Sequence, residues 1–271
     1  MEFGDCFNQS VDNLPNSITH LEFGCNFDQL VDNLPNSITH LTFGDDFNQS
    51  IENLPKSIIY LQFGACFNQS VNRLVKMNKI THLFFGKNFN QIIKKYPKTL
   101  NYLSFGTNFN RSVNNLPCSI THLIFGDNFN QKVDNLPCSI THIIFGKFFN
   151  QSIDNLPSSI THITFGKFFN QSIDKIITFV QYLEFKNYEL YLKNEKKLMN
   201  KMIVYFIKYK KIQKFNNFII EGRNPTTIIE FMHFIHNILL KKITEYVFNP
   251  QRLLRFVEKY NLTMEEYLDF L

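Results

Sequence analysis

The sequence repeats itself every 20 residues, and no other feature restricts its fold as severely. The dipeptide Phe-Gly begins at Phe3, Phe23, Phe43, Phe63, Phe85, Phe105, Phe125, Phe145 and Phe165. The step changes only once, to 22, where Val75–Lys79 replaces the usual Pro-x-Ser linker. A second column holds Pro15, Pro35, Pro55, Pro97, Pro117, Pro137 and Pro157. Punctuation this regular means that the same turn is made once per unit. Twenty residues cannot bury an apolar face alone, so neighbouring units must stack and share a core. The 31 Phe and the absence of Trp fit that arrangement, in which one large side chain is stacked on copies of itself.

A single unit, residues 18–37, shows how each position is used. Leu21 and Phe23 alternate with His20 and Glu22, the periodicity of a strand with one buried face. Gly24 is expected to end the strand at a bend that leaves no room for a Cβ. Phe27, Val31 and Leu34 supply inward anchors from a return path, and Pro35 fixes φ so that the return does not become a regular helix.

The spacing Ile18-x-x-Leu21-x-Phe23-x-x-Asn26 resembles the strand signature of leucine-rich repeats. The wider unit, Phe-Asn-Gln followed by Leu-Pro-x-Ser-Ile-Thr-His-Leu-x-Phe-Gly, resembles the FNIP repeat of amoebal proteins and of giant DNA viruses that infect amoebae. The resemblance implies an α/β-type repeat fold: a leucine-rich-repeat-like solenoid of about ten rungs over residues 1–185, with a parallel β-sheet on its concave face. FNIP proteins often carry an N-terminal F-box, which implies substrate recognition for a ubiquitin ligase. This chain departs from that pattern, because its first residues already belong to a strand and no F-box is visible.

The period stops after Phe185. Residues 186–271 read as a helical C-terminal capping domain. Leu198, Met202, Tyr205, Tyr209 and Ile212 fall at helical spacing beside a face carrying Lys197, Lys201, Lys208 and Lys211. Thr227 with Glu230, and Thr263 with Glu266, are capping-box patterns, and Asn249-Pro250 sets a cap before a first-turn proline. A solenoid needs its last rung covered, which gives such a domain one physical purpose.

The column just before the strand leucine holds His20, His40, Tyr60, His82, Tyr102, His122, His142, His162 and Tyr182. Alternation turns it outward on the concave face, where leucine-rich-repeat proteins bind ligands. Two readings stand beside each other: an aromatic, weakly titratable binding strip, or rings that stack to hold neighbouring rungs together. The next outward column varies within the otherwise constant frame, and Phe84, Ile124 and Ile144 make it apolar where a partner would cover it. The Asn column (Asn8, Asn48, Asn68, Asn90, Asn110, Asn130, Asn150, Asn170) is expected to satisfy backbone groups between rungs. Cys118 and Cys138, one rung apart, fall within disulfide range but are expected as free thiols.

Charge is segregated along the chain. Residues 1–55 carry nine acidic side chains and no Lys or Arg, whereas residues 56–185 carry thirteen bases against five acids. Such polarity favours charged partners or self-association through the acidic first rung, whose Phe3 and Phe7 are expected to lie exposed on an open strand edge. No nucleophile elbow, P-loop, zincin helix or dinucleotide fingerprint is present, and repeated identical polar groups do not converge as catalysis requires. No catalytic residue, metal or other cofactor is therefore expected. The function expected is a non-enzymatic protein-interaction scaffold. Alternatives are a ubiquitin-ligase substrate-recognition subunit, or nucleic-acid or anionic-surface binding through the basic helix, with nucleic acid the less favoured partner. Five Cys, a start at Met1-Glu2 without a targeting segment and no apolar run long enough to span a bilayer point to the cytoplasm, of the host if the protein is viral.

Overall fold

The computed structural model describes residues 1–186. The helices expected beyond that point lie outside the described residues, as does nearly all of the C-terminal domain. The repeats form one parallel sheet: β1 (His20–Glu22), β2 (His40–Thr42), β3 (Tyr60–Gln62), β4 (His82–Phe84), β5 (Tyr102–Ser104), β6 (His122–Ile124), β7 (His142–Ile144), β8 (His162–Phe165) and β9 (Tyr182–Phe185). The nine strands lie in chain order, each in register with the next one repeat later, so that His20 pairs with His40 and His162 with Tyr182. Glu2 adds an isolated parallel bridge to Glu22, which brings the first repeat onto the same ladder.

The strands are short because the chain turns away at the glycine that follows the second inward residue, Phe23 after β1. The first inward residue (Leu21, Leu41, Leu61, Leu83, Leu103, Leu123, Ile143, Ile163 or Leu183) is buried in every strand. Behind it run two phenylalanine columns. Within a rung the rings stack face to face, as in Phe43 on Phe47 at 3.7 Å and Phe105 on Phe109 at 3.7 Å. Between rungs the first column steps by 5.5 Å from Phe3 to Phe23 and 5.9 Å from Phe105 to Phe125. The deeper column steps by 6.1 Å from Phe27 to Phe47 and 6.2 Å from Phe109 to Phe129. Rungs therefore splay apart with distance behind the sheet, as they must in a stack whose sheet lines the concave side. Burying each phenylalanine contributes about 1.5–3 kcal/mol, and the columns extend that term from rung to rung.

The glycine column has a different cause from the one the sequence suggests. None of these glycines uses a left-handed backbone. A Cβ on Gly44, Gly64, Gly86, Gly106, Gly126, Gly146 or Gly166 would instead collide with the carbonyl of the preceding glycine. On Gly4, with no rung before it, a Cβ would meet nothing within 4 Å. Close stacking, not the bend, requires the missing side chain.

The asparagine column behaves as expected. Asn110 Oδ1 accepts the backbone N–H of Asn130 at 3.0 Å and the Gln131 side-chain amide at 2.9 Å. Asn130 Oδ1 in turn accepts from Asn150 and Gln151. In the second rung Asp28 takes the same place, its carboxylate accepting from the Asn48 N–H at 2.8 Å. These amides satisfy loop N–H groups that no strand partner reaches.

The longer step at Val75–Lys79 is absorbed by a 3₁₀ turn, Asn72–Lys76, with Leu74 and Met77 buried beneath it. At the first rung, Phe3 and Phe7 are half-buried, not exposed. Phe3 stacks on Phe7 at 4.0 Å and on Phe23 at 5.5 Å, so one side of the rung is already covered. Cys118 and Cys138 are exposed free thiols, as are Cys6, Cys25 and Cys66. Among the described residues no helix is long and apolar enough to cross a membrane.

Candidate functional site

The outward side of the sheet carries three parallel columns. The first begins with Thr19, the second with His20 and the third with Glu22. In the second column the rings form a continuous stack. His20 lies 4.1 Å from His40, His122 4.3 Å from His142, and His142 4.2 Å from His162. The tyrosines are spaced more widely, with Tyr60 5.8 Å from His40 and 6.2 Å from His82, and Tyr102 5.8 Å from His82 and 5.5 Å from His122. Stacking between rungs is thus observed for every member of the predicted strip. It leaves the rings half-buried, apart from His20, which is exposed.

Each histidine also has a partner beside it. Thr39, Thr81, Thr121, Thr141 and Thr161 place Oγ1 at 2.8–2.9 Å from Nδ1 of the following histidine. The same hydroxyls lie at hydrogen-bond distance from the carbonyl of the preceding rung: Thr121 from Asn101 at 3.3 Å, Thr141 from Thr121 at 3.3 Å and Thr161 from Thr141 at 3.2 Å. These carbonyls already accept the backbone N–H groups of the threonine and the histidine, so the short Oγ1–Nδ1 contact fixes the orientation of the ring whichever of the two atoms holds the hydrogen. Nδ1 is thus engaged by threonine, whereas Nε2 has no hydrogen-bond partner among the described residues.

The threonines are the site residues that sequence reasoning passed over. Their signal lay in the pairing: Thr precedes all six histidines of the column, whereas Ile59, Asn101 and Gln181 precede the three tyrosines. Burial, reinforced by neighbouring histidines, pushes the His40, His122 and His142 rings below the ordinary imidazole value. His40, His122 and His142 are accordingly held in the neutral form at neutral pH.

The third column joins this strip. Phe84 is half-buried and tilted between Tyr60 at 5.0 Å and Tyr102 at 5.1 Å, forming an aromatic cluster rather than an isolated apolar patch. Ile124 is half-buried and Ile144 is 40% exposed. Tyr60 donates to Gln62 Oε1 at 2.6 Å, and Thr164, itself buried, donates to Glu184 Oε2 at 2.9 Å. A second exposed aromatic feature was not anticipated. Phe148 and Phe168 stack at 5.3 Å in the turns after β7 and β8, with Lys147 Nζ 5.2 Å from the Phe148 ring.

Among the described residues no group of three or more His, Cys, Asp or Glu is placed to hold a metal ion. The histidine rings are parallel, whereas a zinc site needs ligands that converge.

Comparison with known proteins agrees with this architecture. A model of the FNIP repeat matches residues 7–46, 26–66, 47–75, 109–148 and 149–188. Among solved structures, CroV588, described as a novel circular LRR protein, superposes with a TM-score of 0.61 at 45% identity. The match covers 68% of this chain and 33% of CroV588, so the chain spans about a third of that relative's length. No curated protein matches the chain.

Proposed function

From the premise that the chain belongs to the FNIP-repeat family, we propose that it is a non-enzymatic protein-interaction scaffold whose concave sheet face is the binding surface. That surface comprises His20, His40, Tyr60, His82, Tyr102, His122, His142 and His162, together with Phe84, Ile124 and Ile144. One observation carries the reading. The asparagine and threonine columns spend their hydrogen bonds between rungs, whereas the histidine Nε2 atoms have no hydrogen-bond partner among the described residues and Ile144 beside them is 40% exposed. A leucine-rich-repeat-like solenoid also presents parallel groups along a continuous surface, which suits recognition of an extended partner better than the convergent chemistry of an active site.

The relationship to CroV588 supports a giant-virus or amoebal origin and, with it, a role in the cytoplasm of the host. Residues 186–271 would act as a C-terminal cap and, in a ubiquitin-ligase role, would stand in for the missing F-box.

Capture from amoebal lysate, with bound proteins identified by mass spectrometry, tests the reading. The full-length protein is compared with a variant carrying Ser at His82, His122, His142 and His162, and with one altered on the return side at Glu52. Partners lost with the first variant and kept by the second place binding on the sheet face. An unchanged set with both would refute it. Recovery of F-box adaptors or cullins would point to the ligase role.

A further inference from the structure

We infer that the return segments leading into β3, β4 and β5 form a second binding surface, separate from the sheet face, whose partner is an extended acidic segment of polypeptide. Residues 53–126 carry nine Lys and Arg and no acidic side chain. None of the nine is on a strand. Three of them fill one column in successive rungs: Lys56, Lys76 and Lys98 each come two residues after a buried anchor, Leu54, Leu74 and Tyr96. Arg73 and Lys95, each one residue before its anchor, form a second column beside the first. The three column lysines and Lys95 are all exposed.

Like charges stacked on adjacent rungs repel, and the fold gives up a bond to place them. Elsewhere an Asn one residue before the anchor donates to an Asp of the preceding rung, as Asn33 does to Asp12, Asn53 to Asp32 and Asn155 to Asp134 at 3.0–3.1 Å. Arg73 and Lys95 stand where that Asn would be, and Arg73 Nε is buried with no hydrogen-bond partner. Buried donors in folded proteins are ordinarily partnered, so a cluster this short of acids and acceptors is matched by an anion from outside.

The surroundings specify the anion. Phe67, Phe89 and Tyr96, the aromatic residues of these segments behind the sheet, are buried, so a nucleic-acid base has no ring on which to stack. The apolar groups exposed among the bases are aliphatic instead, Val75 at 40% and Ile92 at 66%, a surface suited to peptide side chains. Spacing agrees. Behind the sheet the rungs step by 6.0–6.1 Å from Phe47 through Phe67 and Phe89 to Phe109. Alternate side chains of an extended chain repeat at about 6.6 Å, so an acid at every second position meets one lysine per rung.

Fluorescence anisotropy with the full-length protein tests this, using labelled twelve-residue peptides that alternate Glu or Lys with Ser, and a uridine oligonucleotide of the same length. The Glu peptide is expected to bind most tightly, the RNA more weakly and the Lys peptide not measurably. Lys76→Gln/Lys98→Gln should weaken Glu-peptide binding about tenfold, the loss of two exposed ion pairs. Lys147→Gln/Lys167→Gln removes the same charge outside the cluster and should leave binding unchanged, as should Ser at His82, His122, His142 and His162 on the sheet face. Circular dichroism confirms that each variant is folded, and Lys76→Gln alone should raise the urea midpoint by relieving repulsion within the column. No binding of the Glu peptide, RNA binding as tight or tighter, or equal losses with the two lysine pairs would overturn the proposal. Loss of Glu-peptide binding with the sheet-face variant would also overturn it, whereas lysate capture that ignores the sheet face counts against that surface alone.

Discussion

Replacing Gly106 by alanine tests the reason for the glycine column, and Gly4 provides an internal control. At Gly106 the added methyl would overlap the Gly86 carbonyl and lie 2.8 Å from the Lys87 nitrogen. Both neighbours are backbone, so no side-chain rotation relieves the overlap, and the rungs must separate locally. Hydrogen bonds that span this joint include Asn108 N–H to Lys87 O at 2.8 Å, the Asn108 amide to Asn88 at 2.9 Å and Phe85 N–H to Ser104 O at 2.9 Å. Overpacking costs about 1–3 kcal/mol, and each weakened hydrogen bond adds about 1 kcal/mol. Together these put Gly106→Ala at roughly 4–6 kcal/mol, enough to remove much of the stability of an ordinary domain. Gly4→Ala meets open space and should be neutral or slightly stabilising, because alanine lowers the entropy of the unfolded chain. The assay is urea denaturation followed by circular dichroism, with hydrogen exchange to localise the opening, since repeat arrays need not unfold in one step. If Gly106→Ala costs no more than Gly4→Ala, close stacking does not explain the column, and the explanation must return to the bend.

Three further outcomes follow from individual contacts. Asn130→Ala should destabilise by about 0.5–1.5 kcal/mol, because the Asn150 N–H and the Gln151 amide lose their acceptor in the neighbouring rung and turn to water. Asn130→Asp should restore most of that loss in the same denaturation assay, since the second rung already uses Asp28. Phe129→Ala, at a fully buried position between Phe109 and Phe149, should cost about 3–5 kcal/mol, whereas Phe148→Ala on the surface should cost well under 1 kcal/mol. Stability should also fall with acid. The folded-state values of His40, His122 and His142 lie below the unfolded value of 6.5, so the unfolded chain takes up protons first. Their stabilisation is therefore complete above about pH 6.5 and is lost as pH falls through the folded-state values, and a His122→Gln/His142→Gln variant should flatten the midpoint-against-pH curve between pH 7 and 5.

Most of the fold was legible because each rung repeats the same solution. Leu21, Phe23 and Phe27 announce their burial by alternation and by copy number, and the asparagine column announces its role by recurring at the turn. What the sequence concealed were relations between rungs. Gly24 reads like a bend because a lone glycine most often marks one; only the neighbouring repeat's carbonyl reveals the close approach. Phe3 and Phe7 looked bare on an open edge, yet stacking on Phe23 covers one side of each. The threonine partners of the histidines were visible as a recurring Thr-His pair, but the approach of the same hydroxyls to the carbonyl of the previous rung is something no periodicity displays.

That distinction bears on where specificity can reside in a molecule copied from one unit. Residues that hold rung to rung are constrained by both neighbours at once, and a change at Gly106 or Asn130 is felt across two joints. Residues pointing out of the sheet are constrained on one side only, and they are where rungs differ: Glu22, Thr42, Gln62, Phe84, Ser104, Ile124, Ile144, Thr164 and Glu184 occupy one column with six residue types. The histidine column sits between these cases. Its Nδ1 edge is bound into the stack through threonine, while its Nε2 edge is not. One set of rings can thus satisfy the scaffold with one nitrogen and face a partner with the other, so stacking and recognition are not competing explanations for it.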